Sequence, residues 1–268
     1  KFSPNSTNLE VFYVAIINTF VCAGVGIILS TILGLLIGIA RLSSNYLISR
    51  LSNAYIELFR NIPILLQILF WYNIFLNALP HPKKSISFLD FIFINNRGFY
   101  LPNPIPQDGF IWAIIAFIVG IGSAIYLKRH FKRKQDETGQ QTNTIGYSLA
   151  LILLFPIVVF LLLGSPLQLD YAILGKFNLK GGLAIVPEFV ALTLALSVYT
   201  ATYIAEAIRS GIEAVDKGQK EAAAAIGLTP IQSLKLVVLP QALRVAIPPT
   251  INQYLNLTKN SSLAAAIG

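Results

Sequence analysis

The chain has 268 residues, 55% of them hydrophobic and only 12% charged, with a formal net charge of +8. Soluble domains carry about 25% charged residues, so a chain this apolar is expected to have a bilayer as its solvent. The single cysteine, Cys22, excludes an intramolecular disulfide, and His81 and His130 stand in different loops without metal-ligand spacing, so no metal site is expected.

In chain order, the apolar stretches predict an all-α polytopic membrane protein with about six transmembrane helices. The first runs from about 11 to 40 and ends at Arg41. The second, about 53–79, ends at Pro80, and a loop rich in Pro, Asn and Lys follows to Gly109. The third, 110–127, stops at the basic run from Lys128 to Lys134. The fourth, 145–164, carries Pro156 as a kink. A loop over 165–184 leads to the fifth, 185–210, and the sixth runs from near Gln241 to about Thr258. Strand alternation is not evident, and backbone groups in lipid must be paired internally, so the six spans are expected to be helices.

Basic residues predict the orientation. One side holds Arg41, Arg50, the five charges of 128–134, Arg209, Lys217, Lys220, Lys235 and Arg244, which is twelve. The other holds Lys1, Lys83, Lys84, Arg97, Lys176, Lys180 and Lys259, which is seven. The richer side is expected to be cytoplasmic. The run 128–134 then reads as a topology signal, and no nucleic-acid partner is expected.

Between the last two spans lies a segment built of stop and start signals. Asp216 is a candidate N-cap with Gln219 at N3, and Gly227 with Leu228 reads as a Schellman stop. Thr229, Pro230 and Gln232 then form a capping box that opens the next helix. Ala222, Ala223 and Ala225 give the short helix small side chains, which let another protein approach its backbone closely. The expectation is a docking plug on the cytoplasmic side.

Polar residues inside spans are costly and are functional candidates by default. Gln67 falls near the middle of the second span, Tyr199 and Thr200 at similar depth in the fifth, and Asn252 with Gln253 within the sixth. Such neutral donors and acceptors are candidates for a substrate path, although hydrogen bonding between helices is the competing reading. Glu57 with Arg60 and Glu206 with Arg209 share helix faces at i,i+3 near the cytoplasmic ends, and read as structural ion pairs or gate elements. Lys259 near the outer end of the sixth span is placed to snorkel. The pair Pro248-Pro249, beside Asn252, is a candidate functional kink. There is no G-x-x-x-x-G-K-[ST] phosphate loop and no catalytic or metal-ligating set, so neither enzyme activity nor a cofactor is expected in this chain.

The spacing of Gly218, Glu221-Ala222-Ala223, Gly227 and Leu239-Pro240 resembles the EAA loop of ABC importer permeases, with Val237 where Ile is usual. Glu57 to Pro63 with Gln67, Pro187 to Phe189, Glu206 to Gly211, and Asn256 to Leu263 resemble the polar amino-acid group of that family, which serves histidine, glutamate, glutamine, arginine and opines. The resemblance covers 11–79 and 185–268 as core helices of one permease domain with a type I importer fold. Residues 80–184 resemble the extra helix pair of the branch of general or neutral/acidic amino-acid permeases.

The resemblance implies several things together. Gly218, Glu221, Ala222, Ala223, Gly227 and Leu228 would couple to a separate ABC ATPase dimer that holds ATP and Mg2+. A second permease subunit, the same or related, and an extracytoplasmic amino-acid-binding protein would complete the assembly in a prokaryotic plasma membrane. Further helices are expected before and after the chain given. An ion-coupled secondary carrier is the alternative, but it would want an inverted repeat and mid-span acids, and neither is visible. An intramembrane enzyme would want a catalytic dyad.

Overall fold

The computed structural model describes residues 7–139, 144–175 and 178–267. Lys1 and Lys176, counted above for orientation, and Gly268 lie outside the described residues. The helices are α1 (Asn8–Arg41), α2 (Tyr46–Asn61), α3 (Ile64–Asn77), α4 (Phe110–Thr138), α5 (Thr144–Leu149), α6 (Phe155–Leu162), α7 (Pro187–Glu213), α8 (Lys217–Ala225), α9 (Pro230–Ser233) and α10 (Leu239–Asn260). A π turn at Ala150–Leu154 joins α5 to α6, and another at Leu234–Val238 joins α9 to α10. Five continuous helical stretches are long and apolar enough to cross a membrane, and the α2–α3 pair makes a sixth if counted as one broken span.

The chain divides into two compact units. The first comprises Lys1–Ile86, Ile94–Phe99 and Ile185–Gly268, and the second Ser87–Phe93 and Tyr100–Ala184.

In the first unit α7 is the central helix. Fifteen of its 27 residues are buried, and α1, α2, α3 and α10 all pack against it. Its partner α1 buries Cys22, Gly26, Ser30, Gly34 and Gly38, one residue every four positions. A Cβ on Gly34 would lie 2.7 Å from Cβ of Ile204 and 3.1 Å from the carbonyl of Ala201, and one on Gly38 would lie 3.0 Å from the Ala205 carbonyl. The two backbones therefore meet directly. In lipid, where apolar side chains gain little from meeting each other, such close van der Waals packing holds helices together. The sequence reading did not single out this stripe.

The second predicted span is two helices rather than one. α2 ends at Asn61, Ile62 is extended at φ −86° and ψ 124°, and α3 starts after Pro63 at a bend of 101°. Proline disfavours helical backbone at the residue before it, and it has no N–H to continue the ladder. Gln67 accordingly sits in the first turns of α3, not in the middle of a straight span.

Two other prolines act more gently. Pro156 and Pro240 each follow a π turn by two residues, and the carbonyls four residues before them, of Ile152 and Leu236, lie inside those turns. A proline ring clashes with that carbonyl in a regular helix, and the wider turn makes room. Pro248 and Pro249, by contrast, lie inside α10, which stays helical through both.

In the second unit α4 packs on the α5–α6 stretch. A Cβ on Gly120 would fall 2.2 Å from the Leu151 carbonyl, so α4 touches backbone within the π turn. α4 also runs eleven residues past the predicted end of its span, through the basic run, to a left-handed stop at Gly139. The spans are helical as expected, and the long loops between them carry structure of their own. Among the described residues these loops form eight short strands: β1 (Ile86–Phe88), β2 (Ile92–Asn95), β3 (Gly98–Leu101), β4 (Asn103–Pro106), β5 (Leu167–Asp170), β6 (Ile173–Leu174), β7 (Leu179–Lys180) and β8 (Leu183–Ile185). β1, β2, β3 and β8 are hydrogen-bonded in that order. β4 pairs antiparallel with β5 from Asn103 opposite Asp170 to Pro106 opposite Leu167, and β6 pairs with β7. Runs of two to four residues between Gly, Pro and Asn are too short to show a period of two.

Candidate coupling loop and translocation path

The segment after α7 folds as its local signals dictate. Asp216 caps α8 by accepting from the Gly218 amide at 2.6 Å. Gln219 does not complete a capping box, and its side-chain oxygen instead accepts from Gln241 at 3.4 Å. At the other end Gly227 has φ +80°. Its amide donates to the Ala224 carbonyl at 2.9 Å, and the Leu228 amide reaches back to Ala223 at 3.1 Å. These two bonds are the complete Schellman pattern, which satisfies carbonyls that the helix end would leave unpaired. The Thr229 capping box also forms: its amide donates to Gln232 Oε1 at 2.9 Å, and its Oγ1 accepts from the Gln232 amide at 3.4 Å.

The faces of α8 are unequal. Ala223 is buried, while Gly218, Glu221, Ala222 and Ala225 are exposed, and Leu228 is half-buried. Ala223 thus packs inward and does not form the outer surface expected of it. Val215, Val238 and Ala242, with Ile212 beside them, make a small core beneath this loop. Two large apolar residues flank the Gly227 turn in the open, Ile226 at 76% exposure and Ile231 at 66%. The sequence reading passed over both. Their signal was an aliphatic residue at a helix end in a segment placed outside the bilayer.

At the end of α7 nearest this loop, Glu206 accepts from Arg209 at 2.6 Å and also pairs with Arg41 of α1. Arg209 reaches on to Glu213. The i,i+3 pair predicted here is present and extends into a four-residue network that ties α1 to α7. Arg41, seen in the sequence only as the end of a span, is its bridging member. Glu57 and Arg60 form no such pair. Both are exposed, and the Arg60 guanidinium lies 5.2 Å from the ring centre of Tyr203.

The four residues proposed to share a site have different surroundings. Gln67 is 3% exposed, and its amide nitrogen donates to the carbonyls of Phe59 at 2.7 Å and Ile62 at 2.9 Å. It staples the break between α2 and α3, satisfying carbonyls that Pro63 cannot reach. Its Oε1 is buried without a partner. Tyr199 joins hydroxyls with Tyr203 at 2.8 Å, so α7 presents a tyrosine pair beside Arg60. Thr200 is buried at 3% exposure, and Asn252 is exposed on α10. The contacts therefore gather Tyr199, Tyr203 and Arg60, and leave Gln67 to the helix break. Tyr254 of α10 shares a hydrogen bond with Thr31 of α1 at 2.8 Å, and Lys259 is exposed in the last turn of α10. Among the described residues no group of three or more His, Cys, Asp or Glu could hold a metal ion.

Residues 116–268 match the family of binding-protein-dependent transport system inner membrane components. The general L-amino acid transport system permease protein AapQ of Rhizobium johnstonii is 50% identical over 267 residues, all of this chain and 67% of that protein. The putative amino-acid ABC transporter permease protein YhdX of Escherichia coli is 48% identical over the same length, covering 68% of that protein. The glutamate/glutamine/aspartate/asparagine transport system permease protein BztB of Rhodobacter capsulatus is 39% identical over 260 residues, 85% of this chain and 61% of that one. Membership of this family makes the chain a transport component rather than an enzyme, and leaves the ion-coupled carrier reading without support. The chain belongs to the binding-protein-dependent transport system inner membrane components, the multi-pass permease subunits of ABC importers.

Proposed function

We propose that the chain conducts amino acids through the membrane and is driven by a separate ATPase that docks on α8. Identity of about half to amino-acid permeases along the whole chain supports the substrate class. The exposed α8 plug, closed by the Schellman turn at Gly227 and flanked by Ile226 and Ile231, is the observation that carries the coupling role. Apolar side chains left open beside alanines, in a segment outside the bilayer, fit an anchor for a groove on another protein. Gly218, Glu221, Ala222, Gly227 and Leu228 shape that surface, and Ala223 holds it to the permease. Two ATPase subunits, with ATP and Mg2+, would pull paired plugs together. A second permease and an extracytoplasmic binding protein would complete the machine. The basic asymmetry supports a cytoplasmic position for 41–52, 128–144 and 211–240.

The translocation path, on this reading, passes Tyr199 and Asn252. The Tyr199–Tyr203 hydroxyls and the Arg60 guanidinium supply donors suited to a carboxylate. Gln67 and Thr200 act from behind, Gln67 by fixing the α2–α3 bend. Glu206 and Arg209 hold the cytoplasmic end through Arg41.

The test is purification of the permease with its associated subunits, followed by ATP hydrolysis measured against a panel of amino acids in liposomes. Hydrolysis stimulated by amino acids together with a binding protein is expected. A complex stimulated only by sugars, metals or peptides would overturn the substrate class.

A further inference from the structure

α4 continues well past its apolar stretch. Its first eighteen residues, Phe110–Leu127, are uncharged, and at ~1.5 Å per residue they rise about 27 Å, close to the ~30 Å of a hydrocarbon core. The helix does not end where the charge begins. Lys128, Arg129, Lys132 and Arg133 follow on the same rigid helix, at i, i+1, i+4 and i+5, and so share one face. The face of α4 that meets the α5–α6 stretch is marked by Ala113, Ala116, Gly120 and Ala124, and at its end Phe131 stacks on Tyr147 with ring centres 6.3 Å apart. Arg129, Lys132 and Arg133 turn away from that face, Lys128 follows Ala124 one turn on at its edge, and all four are exposed. Among the described residues, none of the ion pairs engages them. Tyr126 and His130 stack at 6.3 Å on the flank of the basic face, and Tyr126 is 71% exposed.

We propose that this face of α4 is a binding site for the phosphates of anionic phospholipid headgroups. The rise from Lys128 to Arg133 is about 7.5 Å, which matches the roughly 5–7.5 Å that one headgroup layer adds to the hydrocarbon core. Four cations without an ion pair among the described residues, with Asp136 and Glu137 one turn beyond Lys132 and Arg133, thus stand at the depth of the phosphates, with an exposed tyrosine at the interface where amphipathic rings reside. Within this chain the α5–α6 stretch has no buried residue, which leaves its surface open to lipid. Lipid tails can reach the outer face of α4 beside the cations, which a soluble anion or a nucleic acid would not use.

The experiment places a bimane on Gln135→Cys, one turn beyond the cluster, in full-length permease held in phosphatidylcholine nanodiscs. Nanodiscs expose both leaflets, so insertion direction does not enter. A minority of brominated phosphatidylglycerol, or of brominated phosphatidylcholine at equal mole fraction, serves as quencher. The anionic lipid should quench with a preference that falls as salt is raised. The variant Lys128→Gln/Arg129→Gln/Lys132→Gln/Arg133→Gln should lose more than tenfold of that preference, since each basic side chain near a charged surface contributes roughly fivefold. The variant Lys128→Arg/Arg129→Lys/Lys132→Arg/Arg133→Lys should keep it. Equal quenching by the two lipids in the parent protein would overturn the proposal. So would a preference that survives neutralisation, or one that binds an oligonucleotide in place of the lipid.

Discussion

Gly227 separates two effects that a single substitution would mix. Its φ of +80° strains any L-residue, yet a Cβ built there meets nothing within 4 Å. In the permease alone the cost is therefore conformational, about 1–2 kcal/mol for most side chains and less for Asn and Asp, which tolerate this region. Gly227→Asn and Gly227→Asp should consequently fold and insert alike. They differ by one charge. If the ATPase covers the turn, the aspartate is desolvated without a partner, which costs about 3–5 kcal/mol, or a loss of affinity of more than a hundredfold. The asparagine should lose no more than about tenfold. Thermal unfolding of each permease in detergent, affinity for the ATPase, and uptake in liposomes form the assay. Equal affinity and uptake for the two variants would refute the reasoning, and so would a Gly227→Asp permease that fails before the ATPase is added.

Gly34→Val should separate α1 from α7, because its Cβ would already lie 2.7 Å from Ile204; a loss of about 1–3 kcal/mol is expected, with partial rescue by Ile204→Ala in a double-mutant cycle read by thermal unfolding. Gln67→Ala should destabilise by about 1–3 kcal/mol, because it leaves the Phe59 and Ile62 carbonyls without their donor, and residual uptake should keep its ranking of amino acids; a changed ranking would return Gln67 to the substrate path. Glu206→Gln should cost about 1 kcal/mol at most, since the carboxylate is 30% exposed, while raising the reactivity of a cysteine placed at Ala205 if the α1–α7 tie loosens; unchanged labelling would make the network ornamental to that contact.

The parts legible in the sequence were those with local causes. Asp216, Gly227 and the Thr229 box act within four residues of themselves, and each forms as expected apart from the Gln219 half of the first cap. Span positions followed from apolar length. The break at Pro63 was visible in Ile62-Pro63 but hidden by an apolar count that ran across it. Pro156 was read as a kink and Pro240 as part of the Leu239-Pro240 motif, and each also follows a π turn by two residues. The five-residue stripe at every fourth position from Cys22 to Gly38 lay in plain view, and it takes a partner helix to give it meaning. The polar residues of the spans were the hardest. Depth along a helix does not say which way a side chain faces, so Gln67 and Asn252 were grouped although one is buried at a bend and the other exposed. Arg60 was matched to Glu57 by spacing, and a tyrosine from another helix lies beside it.

The claim at the centre is that α8 is where the ATPase meets this permease, and site-directed cross-linking tests it most directly. Cys22 is buried, so single cysteines at Ala225 or Ile226 can be read without removing it. In the assembled complex a short bifunctional reagent should join either position to the ATPase at high yield, while a cysteine at Asp108, in the loop before α4, should give none. ATP should change the yield as the subunits close. Absence of cross-links from both positions in a complex that still transports would contradict the account.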